Sequence, residues 1–236
     1  RDRKVFKFLH ILIEFCYIIQ TTLNNYCEIC NRKNLHSVLD LGEHPLCDDL
    51  IKIGSKKTNK LYKIEILFCK HCVTAYQKFQ EKKKVLFPLN YHYRSNLTKD
   101  VLSGMHQLVE DCKKTTGSLK NKIVLDIGCN DGSLLNIFKK NKSITIGIEP
   151  TNACKAARKK GHRIFQGYID DKIIQKIKKE YKGVDIITFT NVFAHIEDLG
   201  KLIKNLKKII GDKTVLIIEN HYLGSIIDKN QFDTFY

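Results

Sequence analysis

The chain has 236 residues, 43% of them hydrophobic, and a formal net charge of +16 at pH 7. That length holds one good-sized domain plus a small one, and the apolar fraction is enough for a packed core, which excludes a disordered chain. The charge raises nucleic acid as a partner, but most of the 41 basic residues are Lys on the outer faces of expected helices, as in Lys172-Ile-Ile-Gln-Lys-Ile-Lys-Lys-Glu180. Arginines are few and no aromatic-basic interleaving occurs, so no nucleic-acid partner is expected. Four of the nine cysteines form two Cys-x-x-Cys pairs and five are scattered through apolar or helical contexts. Reduced thiols, and no cleavable signal with a small-residue exit, point to the cytoplasm.

In chain order, the run Val5 to Leu23 is apolar but interrupted by Lys7, His10, Glu14 and Gln20, so it is not expected to span a membrane. Residues 1–25 read as an amphipathic leader or a non-native extension, and a start at Arg1 without Met reads as a fragment at that end. Residues 26–86 read as a small metal-stapled module, with turns at Asp40-Leu-Gly-Glu43 and Lys52-Ile-Gly-Ser55. Its two pairs, Cys27/Cys30 and Cys69/Cys72, can each wrap two thiolates around a tetrahedral ion at ~2.3 Å per bond. Zinc in a closed four-sulfur shell, with no open position for water, is structural. His71, between two ligands, is expected to be exposed, and Cys47 to be a buried thiol.

Residues 87–121 read as a connector. An extended Phe87-Pro-Leu-Asn-Tyr-His-Tyr-Arg-Ser95 precedes a helix capped near Asn96 or Thr98, with Val101, Leu102, Met105, Leu108, Val109 and Cys112 on one face, ready to pack on the next domain. From 122 to 236 strands are expected at 122–127, 144–149, 163–166, 184–190 and 213–219. Helices are expected at 133–140, 152–160, 171–181 and 198–210. Apolar strands alternating with Lys-faced helices predict an α/β fold whose parallel sheet is covered on both faces. Ligands of such sheets sit beyond the carboxyl ends of the strands, where Gly128, Glu149, Asn191 and His221 fall.

The most informative stretch is Val124-Leu-Asp-Ile-Gly-Cys-Asn-Asp-Gly-Ser-Leu-Leu135. Gly128 and Gly132 let the backbone approach a ligand with no Cβ in the way, and Asp126 can accept hydrogen bonds from a cationic or hydroxylated one. Glu149, in Gly147-Ile-Glu-Pro150, ends the next apolar run where a ribose diol would be gripped. The glycine spacing differs from that of dinucleotide enzymes, Asn130 replaces the middle glycine, and there is no phosphate-cradling Gly-x-x-x-x-Gly-Lys-Ser/Thr. The segment resembles the S-adenosylmethionine (SAM) turn of Rossmann-like class I methyltransferases.

Over residues 26–236 the chain resembles a family of SAM-dependent sugar C-methyltransferases, which methylate a ring carbon of nucleotide-linked deoxy- or ketosugars. The resemblance rests on Cys27-Glu-Ile-Cys30, Leu39-Asp-Leu-Gly-Glu-His-Pro-Leu46, Cys69-Lys-His-Cys72, Tyr91-His-Tyr-Arg-Ser95, Asp126-Ile-Gly-Cys-Asn-Asp-Gly132, Gly147-Ile-Glu-Pro150, Asn191-Val-Phe-Ala-His-Ile196 and Gln231-Phe-Asp-Thr-Phe-Tyr236. It implies Asp126, Gly128, Asn130 and Gly132 around the methionine part of SAM, Glu149 on the ribose, and Asn191 lining the pocket. Tyr93, His195 and Tyr236 would face the sugar. The family's base is a histidine in a His-Glu-His triplet directly after the tyrosine matched by Tyr236, so it is expected to lie beyond this chain, with the sheet incomplete and its last strand left as an edge. Two rivals stand beside this reading: a SAM- and zinc-binding module without catalysis, and a nucleic-acid methyltransferase. Substrate identity and oligomeric state are not legible.

Overall fold

The computed structural model describes residues 22–231 apart from residue 47. The described chain forms two compact units that divide between Leu86 and Phe87. Among the described residues no helix is long and apolar enough to cross a membrane. Most of the run from Val5 to Leu23, together with Cys47 and Tyr236, lies outside the described residues.

In the first unit β1 (Thr22–Leu23) pairs antiparallel with β5 (Phe79–Gln80). The strands β2 (Leu35–Pro45), β3 (Leu61–Cys69) and β4 (Thr74–Gln77) form an antiparallel sheet in the order β2-β3-β4, and a short helix α1 (Lys83–Leu86) follows. The segment Asp40-Leu-Gly-Glu43, expected as a turn, lies inside β2 as a bulge. The register slips between Asp40 and Gly42, Gly42 takes φ 80°, and its N–H donates to Asp40 Oδ1 at 2.9 Å. A glycine with φ > 0 inside a strand is how a bulge inserts its extra residue. The central β3 buries Ile64, Ile66 and Leu67, which is little apolar surface for a free-standing unit.

In the second unit a single 3-10 turn (Ser95–Leu97) leads into α2 (Lys99–Thr116), which Thr98 precedes as cap residue. The strands β6 (Ile123–Ile127), β7 (Ile144–Glu149), β8 (Arg163–Gln166), β9 (Ile186–Thr190) and β10 (Val215–Glu219) alternate with α3 (Ser133–Lys140), α4 (Cys154–Lys159), α5 (Asp171–Glu180) and α6 (Leu199–Leu206). They build one parallel sheet in the order β10-β9-β6-β7-β8. Strand alternation divides the core. Val124 packs with Met105, Val109 and Cys112 of α2, with α3, and with Cys154 and Ala157 of α4. Leu125 packs on the other side with Ile173, Ile174 and Ile177 of α5 and Leu202 and Leu206 of α6. Each such large aliphatic side chain contributes about 1.5–3 kcal/mol by leaving water.

The expected boundaries shift where local bonds decide. Helix α4 starts late because Thr151 to Ala153 form turns. Helix α6 starts at Leu199 because the Asp198 side chain accepts from Lys201 N at 2.8 Å. A helix α7 (Leu223–Asp228) follows β10 and was not expected. Among the described residues β10 pairs only with β9, leaving Leu216 43% and Ile218 42% exposed.

The chain runs outward from β6 to β7 to β8, then returns through α5 to β9 on the other side of β6. The carboxyl ends of β6 and β9 therefore flank the switch point, where open α/β sheets hold ligands.

Beside this point His162 is 5% exposed, sharing a 2.9 Å hydrogen bond with Thr145 Oγ1. Burial, followed by the charges of Lys139 and Lys160, pushes its pKa down from 6.5 to about 4. The unfolded chain then takes up this proton at a higher pH than the folded one, so the stability it contributes is present above 6.5 and lost as pH falls towards 4. The loss reaches roughly 3 kcal/mol. Buried Asp126 runs the opposite way in the same window, so the readout is the difference between two proteins: His162→Phe should lose less urea stability than the parent between pH 7.5 and pH 5.

Candidate functional site

Gly128 begins the turn after β6 with φ 78°, and its N–H donates to Ile148 O at 2.8 Å. A Cβ here would lie 2.4 Å from Val192 Cγ2, so only glycine lets the turns after β6 and β9 meet. Gly132, at φ 76°, would place a Cβ 2.9 Å from Ala157 Cβ, so it sets how closely α3 approaches α4. Within β7, Gly147 leaves room for Cys129, whose Sγ lies 2.4 Å from where a Cβ would stand. Asp131, 2% exposed, opens α3 by accepting from Ser133 N at 3.1 Å and Ser133 Oγ at 2.7 Å, with Lys160 Nζ 3.4 Å from its other oxygen.

Two acids end neighbouring strands. Asp126 is 3% exposed and accepts from Thr188 Oγ1 at 2.7 Å. Burial pushes its pKa up to about 7, with the Thr188 bond opposing and the Glu149 charge adding to the rise. Glu149, 4% exposed, accepts from Thr151 N at 2.8 Å, Thr151 Oγ1 at 2.6 Å and Asn130 N at 2.9 Å. A carboxylate offers about four acceptor directions, so one remains for a ligand hydroxyl. Asn130 turns its side-chain amide to the 93–95 segment, donating to Tyr93 O and accepting from Ser95 N, both at 3.3 Å.

The expected sugar-side residues fall in an aromatic cluster. His195 lies in a 3-10 turn (Phe193–His195) after β9, half-buried, with its ring edge-on to Phe87 at 5.1 Å. Phe87 meets Tyr91 at 5.5 Å and Tyr91 meets Tyr93 at 6.5 Å. Burial, then the charge of His221, holds His195 below the ordinary histidine value. Asn191 is exposed, with φ 53° and its N–H donating to Glu219 O at 2.8 Å. Thr188, Thr151, Ser95 and Phe87 were not singled out from sequence. Thr188 alone carried a signal, a polar residue within an apolar strand, and its register opposite Asp126 explains it.

In the first unit the sulfurs of Cys27, Cys30, Cys69 and Cys72 lie within 4.8 Å of one another, with Cys30 and Cys69 3.8 Å apart. A tetrahedron of ~2.3 Å zinc–sulfur bonds has edges of about 3.8 Å, so the donor set fits zinc. Both knuckles turn through a left-handed residue directly after the second cysteine, Asn31 at φ 57° and Val73 at φ 53°. The second is strained, because Val73 is β-branched. His71 is exposed. Tyr76, also unforeseen, sets its hydroxyl 3.1 Å from Cys27 Sγ and can donate to the thiolate, as partners of metal ligands do. Tyr76→Phe keeps four thiolates but should weaken zinc retention by about tenfold in competition with a chromophoric chelator.

Residues 93–232 match the family described as "Methyltransferase domain", and residues 27–87 match the one described as "Putative zinc binding domain". C-methyltransferase NovU of Streptomyces niveus is 21% identical over 212 residues, 89% of this chain and 50% of that protein. Ubiquinone biosynthesis O-methyltransferase of Coxiella burnetii is 30% identical over 95 residues, 39% of this chain and 41% of that protein. The chain thus spans about half the length of the curated relatives it matches. Among solved structures, the PH0226 protein from Pyrococcus horikoshii OT3 is similar over 64% of this chain and 66% of that one, at 17% identity and a TM-score of 0.48. The family match spans more than half of the chain and takes in the parallel sheet with its glycine turn: the chain belongs to the SAM-dependent methyltransferases and carries a four-cysteine zinc-binding module ahead of that domain.

Proposed function

We propose that the protein methylates a ring carbon of a nucleotide-linked keto-deoxysugar. One observation carries this reading: the match to a C-methyltransferase extends over 89% of the chain, through both the cysteine module and the methyltransferase domain. The motifs shared with sugar C-methyltransferases support the choice of substrate.

Bound SAM supplies a sulfonium methyl group open to attack by carbon. In this reading Asp126, Gly128, Asn130 and Gly132 enclose the methionine part, Glu149 accepts from a ribose hydroxyl, and Asn191 lines the pocket. Tyr93, His195 and Tyr236 face the sugar. A ketone beside the reacting carbon lets a base remove the α-proton, and the electron pair moves onto the carbonyl oxygen as an enolate. The enolate carbon then bonds to the methyl as the sulfur–methyl bond breaks. Such a step needs donors for the oxygen and a proton acceptor near working pH. Tyr93 donates to the enolate oxygen, and His195, kept neutral by burial, takes the α-proton in this reading, in place of the base that the resemblance puts beyond Tyr236.

Purified protein is incubated with SAM and a panel of nucleotide-linked keto-deoxysugars, and products are read by mass and by deuterium wash-in at the carbon beside the ketone. Methylated product with wash-in is expected. SAH binding with neither product nor wash-in on any sugar sinks the proposal and favours a SAM-binding protein without catalysis. His195→Gln should lower kcat by about a hundredfold while SAH affinity stays within about twofold, because the imidazole serves the sugar end. Neutral His195 persists below the ordinary histidine pKa, so the acid limb that it contributes to kcat should lie below pH 6.5. Glu149→Gln sets an amide among three donors and should cut SAH affinity at least about tenfold, read by calorimetry.

A further inference from the structure

Asn130 stands where three parts of the ligand end meet. Its φ of 48° is a conformation that asparagine tolerates better than most residues. Its backbone N–H donates to Glu149 Oε2 at 2.9 Å. Its side-chain oxygen accepts from Ser95 N at 3.3 Å and from Asp131 N at 2.8 Å, and its side-chain nitrogen donates to Tyr93 O at 3.3 Å. Two N–H groups aimed at one atom fix which end of the amide is oxygen. Between the two tied residues, Arg94 donates to the carbonyls of Tyr91 at 2.7 Å and Tyr93 at 2.6 Å. The backbone of 93–95 is thus paired as a strand would be, with a side-chain amide as the partner.

We propose that Asn130 is a positioning residue that couples the cofactor turn to the Tyr91–Ser95 strap, so that a cofactor held by Glu149 also orders the segment carrying Tyr93. The peptide N–H that answers Glu149 and the amide that holds the strap belong to one residue. A ligand that fixes the acid therefore fixes the base from which the amide projects. Coupling of this kind is reciprocal: whatever the cofactor does to the strap, the strap does to cofactor affinity by the same factor. The inference rests on the sugar reading only in making the strap a substrate wall; the link itself needs only the cofactor.

The test is hydrogen exchange of residues 91–97 in the full chain, with and without SAH. In the parent protein SAH should slow exchange at least about fivefold, the lower end of typical couplings. Asn130→Gly keeps the positive φ and the N–H to Glu149 but lacks the amide; the SAH-dependent slowing should vanish and SAH affinity fall by that same factor. Ser95→Pro removes only the donor on the strap. Arg94, at φ −135° and ψ 129°, and the first place of the 3-10 turn both suit proline, and SAH should again bind more weakly. Exchange that ignores SAH in the parent, or variants that bind SAH as the parent does, overturns the proposal. Weakened SAH binding in Asn130→Gly alone, with Ser95→Pro unchanged, means that Asn130 acts on the cofactor only through its own contact and not through the strap, and overturns it as well. No sugar enters the experiment, so failure of the sugar reading leaves its outcome untouched.

Discussion

The ligand end of the parallel sheet depends on how two buried carboxyl groups share one small volume. Glu149 receives three hydrogen bonds from Asn130 and Thr151, while Asp126 receives one from Thr188. Charge in a dry site is tolerable only where donors surround it. Glu149 thus has its donors around it, while Asp126 answers its own burial, and the neighbouring Glu149 charge, by holding a proton up to about pH 7. A cationic group arriving beside Asp126 would favour the ionised form and release that proton. The bond from Asn130 N to Glu149 pins the turn after β6 to the end of β7, while the two from Thr151 fix the loop that follows β7. One acid thereby shapes the backbone that Gly128 and Gly132 leave room for.

The cysteine unit solves a different problem with different forces. Its sheet of three strands has only β3 substantially buried, and such a unit cannot collect enough apolar area to order its loops. Four convergent thiolates replace the missing core, because the free energy of binding the ion is available for folding. That supply also accounts for a valine tolerated in the left-handed region directly after a ligand.

The parallel sheet was legible because its code is local. Apolar runs bounded by Gly, Asp and Lys-faced helices place α3 at Ser133–Lys140 and β7 at Ile144–Glu149, the limits read from the sequence. The antiparallel sheet was not legible, because β2 is half-exposed and bulged and its pairing with β3 joins residues far apart in sequence. Asp40-Leu-Gly-Glu43 has turn chemistry, and tertiary pairing turned it into a bulge. At the ligand end the glycines and acids declared themselves by type. Ser95 did not, since it acts through a backbone N–H that every residue but proline carries, and Thr151 adds to such an N–H only the hydroxyl of a common loop residue.

The fit between Gly147 and Cys129 gives the molecule a clock. Cys129 is 4% exposed, and burial, followed by the charges of Asp126 and Glu149, raises its thiol well above the ordinary value. The native thiol is therefore shielded from alkylating reagents, which only an exposed thiolate attacks. Its slow labelling under native conditions, followed on its own peptide, counts the openings of the glycine turn without unfolding the rest of the protein.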